Sequence, residues 1–244
     1  MADARMWKSI VTAVSTLIDE GTFEAGQDGI KLRAMDPSHV AMIDLSLPSS
    51  FFEEYVCDKP AKISVNFGEM LKLLRRVSGD ESLEMNYEED TAKLTLRLRG
   101  RYSRTFRMST IQPSAEEVPT PKITFNAKIK MSAETLKNAV DDASAVSDHL
   151  RLESNAERLT INSSGDLGTA TIELEKGSES VLSYEVQQDS KATFSISYLN
   201  DIIKSATAAS DIVTVEYSTN MPIKLTFDLP QGSMVFYLAP RVEA

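Results

Sequence analysis

The stretch MDPSHVAMID, residues 35–44, places Asp36, His39 and Asp44 close together. Two carboxylates beside an imidazole are the raw material of general acid–base catalysis, because histidine titrates near neutrality and a carboxylate can orient it. A hydrolytic centre also needs a nucleophile or a metal. The chain has two histidines and one cysteine, Cys57, too few for a four-ligand Cys/His zinc site. No glycine is followed by lysine, so no P-loop is present, and neither G-x-G-x-x-G nor G-x-S-x-G occurs. His39 therefore reads as a satisfied loop histidine. No catalytic residue, metal or cofactor is expected, and Cys57 is expected to act as a small buried hydrophobe.

The other chemistry on offer is the attraction of Lys and Arg for phosphate. A formal net charge of −10 argues against nucleic acid only if that charge is spread evenly. Apolar residues at three- and four-residue steps predict four helices. Trp7, Ile10, Val11, Val14 and Leu17 mark the first, and Met70, Leu71, Leu74 and Val77 the second. Leu136, Ala139, Val140, Ala143 and Val146 mark the third, and Leu199, Ile202, Ile203 and Ala206 the fourth. The opposite faces carry Lys8, Lys72, Arg75, Arg76, Lys137 and Lys204, with Asp19, Asp141 and Asp148 as acidic exceptions nearby. In so acidic a chain, these faces are basic or neutral.

The chain also repeats itself. A shift of 129 residues lays KSIVTAVSTLIDEGTFEA over KNAVDDASAVSDHLRLES, matching Lys8 with Lys137, Val11 with Val140, Ser15 with Ser144 and Asp19 with Asp148. Further on, KLTLRL meets KLTFDL at nearly the same shift. Each copy reads as helix, alternating strands, helix and more strands. This predicts an α+β protein of two duplicated domains, 1–112 and 123–244, each an antiparallel sheet covered on one side by two helices. Residues 113–122, with Pro113, Pro119 and Pro121, form an extended connector. No run approaches the roughly 20 apolar residues of a membrane helix, and the start lacks the pattern of a signal peptide. A soluble cytoplasmic protein without a membrane partner is expected.

Two stretches predict strand edges of opposite charge. RLRGRYSRTFR (97–107) holds five arginines, whereas 173–189 holds Glu173, Glu175, Glu179, Glu185 and Asp189. An exposed edge recruits another strand unless it is blunted, and unlike edges on one chain give a head-to-tail contact that closes a ring or runs on as a filament. An arginine-rich hairpin binding nucleic acid directly, or an edge that merely confers solubility, fits the same residues.

RAMDPSHVAMIDLSLPSSFFEEY, SGDLGTATIEL, NMPIKLTF and the terminal YLAPRVE resemble the proliferating cell nuclear antigen family of DNA sliding clamps, in its archaeal form, over essentially the whole chain. The resemblance implies three subunits closed into a ring around duplex DNA, helices lining the hole. It carries DNA contact to Lys8, Lys72, Arg75, Arg76, Lys137 and Lys204. The subunit contact falls on Tyr102, Arg104, Phe106 and Arg107 of one strand and Val181, Ser183, Tyr184 and Glu185 of another. A pocket for partner peptides falls on Met35, His39, Val40, Leu47, Val118, Pro119, Pro222, Tyr237, Leu238, Ala239, Pro240 and Arg241. Implied partners are a clamp loader, DNA polymerase, flap endonuclease and ligase, with the protein near the nucleoid of an archaeal cell. One subunit of a heterotrimeric clamp and a monomeric nucleic-acid scaffold remain alternatives, with a hydrolase built on Asp36 and His39 behind them.

Overall fold

The structure, a computed structural model, describes residues 3–77, 79–113 and 118–241. The middle of the expected connector, 114–117, and residues 242–244 of the terminal motif lie outside the described residues. The chain divides into two compact units. One comprises 1–37, 43–118 and 229–234; the other comprises 38–42, 119–228 and 235–244.

The N-terminal unit begins with α1 (Ala4–Ser15). Asp3 caps it, its carboxylate accepting from Arg5 N at 2.8 Å. Strands β1 (Glu20–Gly26), β2 (Gly29–Met35), β3 (Ala41–Pro48) and β4 (Ala61–Asn66) follow, in the sheet order β3-β2-β1-β4. The β1–β2 turn requires glycine at position 29. Its φ is +135°, and a Cβ there would lie 2.1 Å from the Leu47 carbonyl oxygen. Next comes α2 (Phe67–Leu74), capped by Asn66, which accepts from Glu69 N at 2.9 Å. Strands β5 (Ser82–Glu88), β6 (Lys93–Arg99) and β7 (Ser103–Ser109) form a second, three-stranded sheet in sequential order.

The C-terminal unit holds β8 (Ala127–Ser132), α3 (Ala133–Ser144), β9 (His149–Ser154), β10 (Arg158–Gly165), β11 (Gly168–Glu175) and β12 (Val181–Val186). It continues with β13 (Ser190–Ser195), α4 (Ile196–Ala206), β14 (Ile212–Tyr217), β15 (Ile223–Asp228) and β16 (Ser233–Leu238). One sheet runs β11-β10-β9-β13; the other runs β12-β8-β14-β15-β16. The α+β class and antiparallel sheets match the sequence reading. The strands of each unit, however, divide between two sheets, and α3 touches strands of both.

The duplication persists down to single hydrogen bonds. Ala4 N donates to Glu81 O, and Ala133 N to Asp211 O; Phe67 N donates to Asp19 O, and Ile196 N to Asp148 O. Strand β1 pairs with β4 from Glu20↔Asn66 to Ala25↔Ala61, and β9 pairs with β13 from His149↔Ser195 to Ser154↔Ser190. Every partner is displaced by the same 129 residues, or by one more at the Glu81/Asp211 pair. Nearly every apolar position assigned to the four helices is buried; Leu71 and Val146 are half-buried.

Candidate functional site

Each unit packs its two helices side by side, α1 on α2 and α3 on α4. Burying the apolar stripe leaves the opposite stripe to solvent. In the N-terminal unit this stripe carries half-buried Lys8 and exposed Lys72, Arg75 and Arg76. The Lys8 ammonium donates to the carbonyl oxygen of Arg75 at 3.1 Å. Arg75 is the C-terminal cap of α2, so a cation from one helix sits at the negative end of the other. The hydroxyls on this stripe turn back onto their own helix: Thr12 donates to Lys8 O and Ser15 to Thr12 O.

The C-terminal unit joins its helices differently. The Asp141 carboxylate lies 3.0 Å from Lys137 Nζ through one oxygen and 3.0 Å from Lys204 Nζ through the other. Both ammonium groups hold the Asp141 carboxyl below the usual carboxylate range. This cross-helix bridge was not legible in the sequence, where Asp141 figured only as an exception to a basic face.

The strands expected at the subunit contact are both sheet edges. Strand β7 ends the three-stranded sheet, and β12 ends its own. The charge expected on them is corrected by register. Arg97 and Arg99 belong to the central strand β6 and both meet Glu84, while Arg104 pairs with Glu81. Likewise Glu173 and Glu175 lie on β11, and Glu173 pairs with Arg158. On the strands themselves the contrast is kept by exposed Arg107 on β7 and exposed Glu185 on β12, and exposed Arg101, Glu179 and Asp189 flank them. The edges also show apolar surface. Tyr102 is 63% exposed, with the Arg104 guanidinium 5.6 Å from its ring centre, and Leu182 is 55% exposed. Phe106 is half-buried, as is Ser183, whereas Val181 and Tyr184 are buried. The Tyr184 hydroxyl donates to Asn155 O at 2.8 Å, and burial pushes its pKa up to about 12. A cleft of about 590 Å³ brings Lys72 of α2 and Arg75 and Arg76 just past its end together with Tyr102, Arg104 and Phe106.

The residues assigned to a partner pocket are held by backbone. In the C-terminal unit Ala239 N donates to Val40 O at 2.9 Å, and Arg241 N donates to Thr193 O at 2.7 Å. The Arg241 guanidinium lies 2.7 Å from His149 Nδ1. The segment after β16 is thus tied down, and His149, which the sequence did not single out, is one of its anchors. Leu238 is 1% exposed and is core; Pro222, Tyr237, Ala239 and Pro240 are half-buried, and Pro119 is exposed. In the N-terminal unit Leu47 is also 1% exposed, Met35 is half-buried, and Val118 O accepts from Arg33 at 3.4 Å.

His39 is exposed with φ at 56°, and the Asp44 carboxylate is engaged by Arg33 at 2.7 Å. An acid committed to an arginine does not orient an imidazole. Among the described residues, no group of three His, Cys, Asp or Glu side chains could hold a metal, and no helix is long and apolar enough to cross a membrane. Cys57 is half-exposed, not buried as expected, with its thiol donating to Lys59 O at 3.2 Å.

Comparison with known proteins agrees with this architecture. Residues 1–112 match the family model of the proliferating cell nuclear antigen N-terminal domain, and residues 119–242 that of its C-terminal domain. The chain is 38% identical to DNA polymerase sliding clamp 1 of Pyrobaculum aerophilum over 99% of its own length and 96% of that protein's. It is 36% identical to the DNA polymerase sliding clamp of Pyrococcus furiosus, over 98% and 96%. The crystal structure of PCNA from Thermococcus kodakaraensis superposes with a TM-score of 0.93 at 26% identity, covering 98% of this chain and 97% of that one. Family models spanning nearly the whole chain, full-length relatives and a shared fold give one answer: this chain belongs to the proliferating cell nuclear antigen family.

Proposed function

We propose that the protein is a DNA sliding clamp, a ring of three copies that encircles duplex DNA and tethers a replicative polymerase to it. The observation that carries this reading is the segregation of charge. A chain of net charge −10 keeps Lys8, Lys72, Arg75, Arg76, Lys137 and Lys204 on the solvent stripes of its helices. The two edge strands support closure: β7 of one copy pairs with β12 of the next, a head-to-tail contact that returns on itself after three. The exposed Tyr102 and Leu182 would be buried there, and Arg107 would face the acidic side. The domains are 1–112 and 123–244, joined by 113–122.

A closed ring holds DNA by topology, so its inner cations need only attract phosphate without gripping it. Lys and Arg contacts of this kind are indifferent to base sequence. An acidic exterior repels DNA and leaves the hole as its place. The work is mechanical, not catalytic. Flap endonuclease, ligase and polymerase dock through short peptides on the surface around Val40, Pro222, Tyr237, Ala239 and Pro240, and a separate loader opens the ring.

Light scattering should return three times the protomer mass. Reversing Lys72, Arg75 and Arg76 together to glutamate should leave that mass unchanged. Retention on duplex DNA should fall by an order of magnitude or more, since six units of charge change in each subunit and contacts to phosphate supply the sequence-independent affinity. Undiminished retention in the reversed variant would remove the helix faces from the DNA contact.

A further inference from the structure

Internal duplication provides a comparison that no single domain could. At the repeat offset, Lys8 corresponds to Lys137, Thr12 to Asp141, Lys72 to Asp201, Arg75 to Lys204 and Arg76 to Ser205. These five positions carry four cations and no anion in the N-terminal unit. In the C-terminal unit they carry two cations and two anions. Both units must join a pair of helices whose solvent stripes meet, and each does so with a lysine. Lys8 finds a backbone carbonyl, the Arg75 oxygen at 3.1 Å, and keeps its full charge for solvent. Lys137 and Lys204 find the two oxygens of one carboxylate at 3.0 Å each, and part of their charge is cancelled at close range.

We propose that Asp141 sets the DNA attraction of the clamp: by bridging Lys137 and Lys204 it weakens the attraction of the C-terminal helix pair for phosphate and leaves the N-terminal pair as the principal DNA-attracting surface. This rests on the sliding-clamp reading. The physical reason is that attraction must be bounded for a ring to slide. Affinity scales with the number of phosphates neutralised, and a bridged ammonium releases little further counterion because its neighbour already serves as one. Asp141 is thus a tuning residue that acts on DNA through the lysines beside it. Thr12, its counterpart, cannot do this. It carries no charge, and its hydroxyl is turned onto Lys8 O at 2.8 Å.

The test compares full-length trimers on a short linear duplex, which an unloaded ring can thread from its ends, by fluorescence anisotropy over a range of salt. Asp141→Thr, which installs the residue of the first copy, should tighten binding and steepen its salt dependence. Removing one anion uncovers one net positive charge in each subunit, three in the ring, so the affinity lost between about 50 and 200 mM salt should grow by roughly tenfold or more. Asp141→Asn, of nearly unchanged shape, should do the same, so that a packing defect in one variant does not decide the matter. Replacing Lys137 and Lys204 with alanine should abolish the gain in the Asp141 variant, because no cation is then left for the substitution to release. If reversal of Lys72, Arg75 and Arg76 abolishes binding while Asp141→Thr and Asp141→Asn leave the salt slope unchanged or weaken binding, the tuning role is overturned and the clamp reading stands. If that reversal has no effect, the clamp reading itself fails at the helix faces.

Discussion

Trp7 occupies in the N-terminal unit the place that Leu136 occupies in the C-terminal one, and around it the substitution is systematic. Phe23 corresponds to Leu152, Phe67 to Ile196, and Gly21 to Leu150. Trp7, Phe23 and Phe67 form a chain of rings with centroids 5.5 and 5.7 Å apart; the other core puts three aliphatic side chains on the same backbone. The glycine explains how. A Cβ at Gly21 would lie 2.9 Å from the Phe67 ring, so the large ring is admitted by deleting the side chain opposite, whereas Ile196 leaves room for Leu150. Two volume distributions fill one fold. Hydrophobic spacing dictates which positions go inside, and close packing requires only that neighbours compensate one another.

Removing the largest ring gives the largest effect. Trp7→Ala, at a position 1% exposed, should cost about 3–5 kcal/mol, against about 2–5 for Leu136→Ala. Because Trp7 is the only tryptophan, its fluorescence in urea reports the N-terminal unit in every other variant. Equal tolerance of both truncations would mean that the rings contribute no more than aliphatics. The exchange itself comes next. Gly21→Leu should destabilise the N-terminal unit by about 1–3 kcal/mol through overpacking, and Phe67→Ile in the same chain should recover most of the loss. If the pair is no better than Gly21→Leu alone, the two positions do not compensate one another.

The smallest effect separates the helix faces. Asp141 has a folded pKa below its ordinary value, so the stability it contributes is present above pH about 4 and disappears as pH falls through the lower folded value. The urea midpoint of the parent should therefore drop slightly more than that of Asp141→Asn between about pH 5 and pH 3. Changes at Thr12 should leave this acid limb untouched. An identical acid limb with and without Asp141 would show that the bridge adds nothing to folding.

The repeat, the helices and the class of fold were legible in the sequence because they rest on local periodicity. Strand partnership was not. The separation of β5–β7 from the first sheet depends on which strand edges meet in space, and the neutralisation of Arg97, Arg99 and Arg104 depends on register, which alone decides that Glu84 lies beside two of them. The cations of the helix faces were readable as residue types. Their different fates were not, because the Lys8–Arg75 and Lys204–Asp141 contacts join residues more than sixty positions apart. Cys57 was misjudged for a related reason: composition favours burying a lone thiol, but the 52–59 segment has no strand to bury it.

The anchoring of Lys8 to the end of α2 has one more consequence. An ammonium on four methylenes ordinarily sweeps a wide volume and loses that freedom when it meets an anion. Here the loss has already occurred on folding. In the clamp proposed above, Lys8 would be a fixed point in the wall: a passing phosphate would meet a standing potential there, with no arm that reaches out to follow it, and such a surface would resist motion less than one that must let go at every step.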